Sequence, residues 1–295
     1  MDEIGRLNAQ SAIRTVEVDD VRVTYVVDGA LEIRPEAFFP ALPAEHWQDN
    51  PDALTGTGFV AMTAGGLLVE RAGHRLLIDA GYGPVQSKSA FATIKCGALL
   101  ESLAHLGVAP DDIDVFALTH LHIDHTGWAF VDGRPTFPSA VYRVAEQEWG
   151  DEVRTIGTPA PEVISAFDAV KSTFSDGDEV APGVFAIVTP GHTAGHTTYR
   201  ITTSAGRGII AFGDAFHIPA QISHPEWPSA ADADITNVLK ARTQLLGELE
   251  QPDTIGFGTH FGDQVFGRVV RDAEDVPVWQ PVPSIVRGRV SQTYS

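Results

Sequence analysis

The stretch Thr119–Gly127 reads THLHIDHTG. It puts three histidines and an aspartate (His120, His122, Asp124 and His125) inside six consecutive positions of a chain with 11 histidines in all. Spacings of two, two and one do not follow a 3.6-residue period, so these side chains do not share a helix face. Nor do they form a solvated charged run, because Leu121 and Ile123 are interleaved and the apolar VFAL (115–118) comes just before. The reading that satisfies both is a short buried strand, IDVFALTH (113–120), that delivers a polar cluster into a loop. Loops at strand ends on a rigid scaffold are where reactive groups concentrate.

Working outward, three later segments repeat that grammar. VFAIVTPGH (184–192) ends at His192, RGIIAFGD (207–214) at Asp214 and TIGFGTH (254–260) at His260. Imidazole and carboxylate suit zinc, and also manganese, iron or cobalt. Five histidines and two aspartates exceed what one tetrahedral zinc uses, but they fit two divalent ions sharing a carboxylate. In such sites the ions sit about 3.5–4 Å apart and a water between them loses a proton near neutral pH. That hydroxide is then the nucleophile, and no reactive serine or cysteine is needed.

The rest of the chain reads as strands with interspersed helices. VRVTYVVDG (21–29) is a strand ending in an Asp-Gly turn, and residues 65–83 form a hairpin turning near Ala72–Gly73. CGALLESLAHLGV (96–108) and ADITNVLKARTQLLGELE (233–250) are helical in spacing, and AVYRV (140–144) followed by AEQEWGDE (145–152) reads as strand then helix. Residues 35–57 carry four prolines and three aromatic side chains with little periodicity, which fits either a lid or a loop packed permanently over the core. No composition shift marks a linker, so one domain over 1–295 is expected, with its core at about 20–265.

Composition bounds the partners. Twenty Lys and Arg against 39 Asp and Glu give a net charge of −19, which leaves no cation excess for a phosphate backbone or an anionic membrane surface. Cys96 is the one cysteine, so no intrachain disulfide forms, and in FATIKCGALL it reads as a small buried hydrophobe. A basic leader followed by an apolar stretch is not seen, nor is an 18-residue apolar run, and a cytoplasmic location follows as the expectation.

HLHIDH (120–125) resembles the HxHxDH signature of the metallo-β-lactamase superfamily, and the later ligand positions follow that superfamily's order over roughly residues 20 to 265. The resemblance implies an α/β fold, an αββα sandwich of two mixed β-sheets flanked by helices, with metals at one edge. It implies that His120, His122 and His192 hold one ion, that Asp124, His125 and His260 hold the other, and that Asp214 bridges them. LLIDAGYG (76–83) resembles the family's early Asp-x-Gly turn, which makes Asp79 the partner that orients a ligand histidine. His196, in PGHTAGH (190–196), reads as a structural turn residue. His46, His74, His105 and His224 read as surface or structural.

His217 has two readings. Lactonases of this superfamily that cleave acyl-homoserine lactones carry a tyrosine at a similar offset, whereas GDAFHIPAQ (213–221) is more similar to the methyl parathion hydrolase branch. His217 is then either a catalytic donor to a developing oxyanion or leaving group, or a packed neutral histidine.

Departures from other branches narrow the reaction. Asp214 stands where the penicillin-degrading enzymes with a cysteine ligand have Cys. There is no room for the inserted domain of the nucleases. The tail AEDVPVWQPVPSIVRGRVSQTYS (273–295) is unlike the basic tail of glyoxalase II-like thioesterases. The aromatic set Phe38, Phe39, Trp47, Trp128, Phe216, Phe261 and Phe266 points to a small apolar substrate. The expectation is a dinuclear hydrolase, zinc foremost, that cleaves a lactone or carboxylic ester by a metal-bridging hydroxide, with Asp124 taking the proton afterwards. Organophosphate triester hydrolysis is the alternative, followed by thioester hydrolysis or a di-iron redox role. The resembling branch commonly dimerises, so a homodimer is a further expectation, with residues 35–57 available to its interface.

Overall fold

The computed structural model describes residues 2–150 and 157–290. Strand alternation builds its layers, because successive side chains on a strand face opposite sides. In Val21–Ile33, Val23, Tyr25 and Val27 face one core and Val26 another; in Val60–Arg71, Leu67 and Val69 divide from Leu68 in the same way; in His74–Ile78, Leu76 and Ile78 divide from Leu77. The first of these cores is shared with a second sheet, through Val184, Ala186, Tyr199, Ile201, Ile209, Ala211 and Phe257. The other side of the first sheet packs on helices Leu99–His105 and Pro161–Val170 through Leu99, Leu103 and Phe167. Helix Ile235–Leu249 covers the outer side of the second sheet through Leu245 and Leu249. The result is the αββα sandwich.

Topology brings the strand ends together. His74–Ile78, Val115–Ala117 and Val141–Ala145 are neighbouring parallel strands, with Ala117 opposite both Ile78 and Arg143. Asp79, His120 and the segment carrying Glu148 therefore leave the first sheet at one edge. In the second sheet Gly208–Ala211 runs parallel to Ile255–Phe257, and Val184–Val188 lies two antiparallel steps from Gly208–Ala211, so it points the same way. His192, Asp214 and His260 share an edge for that reason. The two edges are joined where the Thr197 N–H donates to Thr119 O (2.8 Å) and the Tyr199 hydroxyl donates to Leu118 O (2.6 Å).

Three readings need correction. Asp28–Gly29 is not a turn. Val21–Ile33 runs through it with a bulge between Val27 and Gly29, and the buried Asp28 side chain accepts from the N–H groups of Tyr82, Gly83, Gly97, Leu99 and the Trp128 indole. Residues 35–57 are not all loop: helices Pro35–Phe38 and Ala44–Asp49 and the 3₁₀ turn Pro51–Ala53 interrupt them, and Phe39, Leu42 and Trp47 pack against Val60, Met62 and Ile218, as in the second of the two readings given for this segment. Burying Phe39 alone contributes about 2 kcal/mol. Strands Phe266–Arg271, Pro277–Pro281 and Ser284–Gly288 extend both sheets past residue 265, and the last crosses back to pair with Ile13–Val18. The helix expected over 145–152 is present as Glu146–Gly150, and its last two positions lie outside the described residues. Among the described residues, no helix is long and apolar enough to cross a membrane.

Candidate metal centre

Asp214 sits between two groups of imidazoles, and its two oxygens face different groups. Its Oδ2 lies 3.4 Å from His192 Nε2 and 3.9 Å from His120 Nε2, while His122 Nδ1 is 3.1 Å from His192 Nε2. Its Oδ1 lies 3.3 Å from His125 Nε2 and 3.2 Å from His260 Nε2, and Asp124 Oδ2 is 3.7 Å from each of those two nitrogens. All seven sequence-derived ligand candidates are thus brought to one place. Gly213 is required there: its φ is +52°, and a Cβ would come within 2.7 Å of His196 Nε2.

The donor chemistry fits divalent metal. The ligand atoms of His120, His122 and His192 lie within 4.8 Å of one another, as do those of Asp124, His125, Asp214 and His260. Donors about 2.0–2.1 Å from a common ion stand about 3.3 Å apart in a tetrahedron, and small adjustments reach that spacing. His120 Nε2, His125 Nε2 and Asp214 Oδ1 are buried with no hydrogen-bond partner, a costly condition that a bound cation relieves.

Four of the five rings, those of His120, His125, His192 and His260, are oriented by a partner on the far nitrogen. His120 Nδ1 meets Thr119 Oγ1 at 3.0 Å, His125 Nδ1 meets Asp79 Oδ2 at 2.8 Å, His192 Nδ1 meets Asp232 Oδ1 at 3.0 Å, and His260 Nδ1 meets Thr63 O at 2.8 Å. These partners favour a proton on Nδ1 and turn Nε2 toward the site. Asp79, at φ +61°, also accepts from Thr119 N–H (2.9 Å) and its hydroxyl (2.8 Å).

Protonation follows the surroundings. Burial and the neighbouring imidazoles hold His120 well below the ordinary histidine range, and burial with His192 brings His122 down to about 4. Against burial, Asp214, Asp79 and Asp124 hold His125 well above that range, and Asp214 raises His260. Against its own burial, Asp214 is held well below the usual carboxylate range by His125, His260 and His217.

His196 is not among the site-facing donors. Burial lowers it to about 3, its Nε2 accepts the Asp214 N–H at 3.0 Å, and its Nδ1 meets Thr189 Oγ1 at 2.9 Å. His217 is buried, with Nε2 3.2 Å from Asp214 Oδ2; its ring stands edge-on to Phe38 and stacks on His260. A cavity of about 120 Å³ opens onto these groups, walled by Leu31, Ile33, Phe38, Met62, Tyr82 and Ile123. Of the seven aromatics expected near the substrate, Phe38 lines this cavity. Phe39 and Trp47 pack beneath the 35–57 segment, Phe216 and Phe261 face helix Ile235–Leu249, and Phe266 lies between the sheets. Trp128 packs on the first sheet's helix side and donates to Asp28 at 2.7 Å.

Sequence reasoning missed Asp232, Glu148 and Tyr82. Glu148 is buried and accepts from Leu121 N–H (2.8 Å) and Gly195 N–H (3.0 Å), clamping the loop of His120 and His122 to the loop of His192. Nothing local marks Asp232 and Glu148, since each acts on a segment far off in sequence, whereas Tyr82 lies within the quoted LLIDAGYG and lines the cavity.

The model of the Metallo-beta-lactamase superfamily matches residues 66–255, well over half of the chain. The chain belongs to the metallo-β-lactamase superfamily. As a member it is a metal-dependent hydrolase. Solved structures with the same fold include hydrolase AbOPH of the β-lactamase superfamily, at 24% identity, TM-score 0.78, covering 92% of this chain and 98% of that one. AidC, a dizinc quorum-quenching lactonase solved with the product N-hexanoyl-L-homoserine, matches at 20% identity and TM-score 0.79 with the same coverage. A probable metal-dependent hydrolase from Staphylococcus aureus matches at 22% identity and TM-score 0.78, covering 92% and 100%.

Proposed function

We propose that this superfamily member hydrolyses a lactone or carboxylic ester of a small apolar molecule, using two divalent ions, zinc foremost. The observation that carries this reading is Asp214, whose two oxygens face two separate donor groups. His120, His122 and His192 would hold one ion; Asp124, His125 and His260 would hold the other; Asp214 would serve both. Bound there, the ions would supply Lewis-acid polarisation of the substrate oxygen and an activated water.

The chain's own residues then have definite tasks. Leu31, Ile33, Phe38 and Met62 exclude water from one side of the cavity and favour an apolar acyl group. The described lining holds no Lys or Arg, which favours an uncharged substrate. Burial holds His217 below the ordinary histidine value, and a ring N–H of its imidazole would donate to the carbonyl or leaving oxygen. Asp124, which lines the cavity, takes the proton released on attack. The dizinc lactonase AidC supports the ester reading, as a protein of the same fold.

The test is metal analysis of the purified protein, paired with a panel of lactones, esters and phosphotriesters assayed before and after chelation. About two equivalents of metal and chelator-sensitive lactone or ester cleavage are expected. Cleavage confined to phosphotriesters would replace the ester reading, and a chain that stays metal-free after reconstitution would end it.

A further inference from the structure

Of the four rings that present Nε2, two rest on carboxylates. Asp79 backs His125 in one donor group, and Asp232 backs His192 in the other. The sequence motif marks the first pair, and no motif marks the second. Asp232 Oδ1 meets His192 Nδ1 at 3.0 Å, and Oδ2 accepts the Ser229 N–H at 2.8 Å and Arg242 Nη2 at 3.1 Å.

Arg242 is fully buried on helix Ile235–Leu249, where a leucine would pack at no cost in desolvation. Three of its other four donors are also committed: Nε to Ala215 O at 2.6 Å, and Nη1 to Pro225 O at 3.1 Å and Trp227 O at 2.7 Å. Trp227 O also accepts from Gln221 Nε2, and Gln221 Oε1 accepts the His217 N–H at 2.7 Å. One guanidinium therefore reaches His192 through Asp232, the residue after Asp214 directly, and the His217 loop through Gln221.

Resting on the two-ion reading above, we infer that Asp232 and Arg242 are positioning residues for the His120–His122–His192 ion. Asp232 keeps the His192 proton on Nδ1 and aims Nε2 at the ion, and Arg242 holds the Asp232 carboxylate in place and in register with Asp214. Asn at position 232 keeps the size but fails electrically. Its amide NH₂ faces either the His192 N–H or the Arg242 and Ser229 donors.

Metal-free protein is reloaded with zinc and titrated against a competing chelator, for wild type, Asp232→Asn, Arg242→Lys and Asp79→Asn. Wild type takes up two ions. In Asp232→Asn and Arg242→Lys one ion weakens by about 10–100-fold while the other keeps its wild-type affinity, and in Asp79→Asn the other ion weakens instead. Cobalt loading reads the same split, as a changed visible band for one ion in each variant. Folded Asp232→Asn that holds both ions as wild type does overturns the inference and leaves the functional reading standing. Wild type that takes up no ion overturns both. If Asp232→Asn does not fold, ring ¹H–¹⁵N correlations of metal-free wild type decide: His192 protonated on Nδ1 upholds the inference, and on Nε2 overturns it.

Discussion

Asp214 and Asp263 are equally buried, at 3% exposure each, and both carry charge into the interior, yet they end differently. Asp263 is fully matched: Arg14 donates to Oδ1 from Nε (2.6 Å) and to Oδ2 from Nη2 (2.7 Å), and the Ala12 N–H adds a third bond at 2.8 Å. Arg14 in turn places Nη1 on Ser284 Oγ and Glu3 O. Asp214 has no cationic side chain of fixed charge beside it; five imidazole nitrogens lie within 3.9 Å of its oxygens, and Oδ1 has no hydrogen bond. A structural charge consumes every donor around it. A site leaves its ligand atoms open, and the difference is visible in the bond pattern alone.

The comparison breaks first at Asp214. Asp214→Ala is expected to lower ester turnover by about 10²–10³-fold, the scale of losing a principal stabiliser of transition-state charge. It should also reduce bound metal below two equivalents, read by elemental analysis. Unchanged turnover at full metal content would remove Asp214 from the centre. Arg14→Met comes next, because it removes the two guanidinium bonds from buried Asp263 and leaves it the Ala12 N–H and the half-exposed Arg289, 3.6 Å from Oδ2. Urea unfolding should show a loss of about 3–5 kcal/mol, while the folded protein keeps its metal. Loss of metal at unchanged stability would reverse the roles given to the two aspartates.

Asp28 sharpens the comparison, as a buried carboxylate with five N–H donors and no cation. Burial raises it from 3.8 to about 6, against the pull of the Trp128, Leu99, Tyr82 and Gly83 donors. A raised folded value means that its favourable contribution is complete below about pH 4 and is lost as pH rises through about 6. Wild type should therefore lose up to about 3 kcal/mol relative to Asp28→Asn across that window, measured by unfolding both at several pH values. A difference independent of pH would mean that the N–H donors offset burial, and a wild type that gains on Asp28→Asn as pH rises would mean that they outweigh it.

How far the site could be read from sequence depended on whether its signal was local. Each ligand candidate sits just past an apolar run, so strand and ligand are read from the same few residues, as with VFAL and His120. His217 was found by its offset from Asp214, but its burial against Phe38 was not legible. The Asp28 bulge looked like an Asp-Gly turn because the pairing strand that carries it through, Val60–Arg71, is far off in sequence. The closing strands were missed for another reason. Pro277–Pro281 is the last strand of its sheet, where one side needs no ladder partner and proline is tolerated.

By itself the sequence determined the period-two alternation that makes the two sheets, the chemical type of every ligand candidate and the order in which they occur. Tertiary structure alone decided how charge is distributed among them. It set which Asp214 oxygen faces which imidazoles, brought Arg14 to Asp263 across 249 positions, and set Arg242 and Asp232 behind His192. The reason is one of range. Burial patterns and strand-end ligands are properties of neighbouring residues, whereas compensation of a buried charge depends on whatever the fold places within about 3 Å of it.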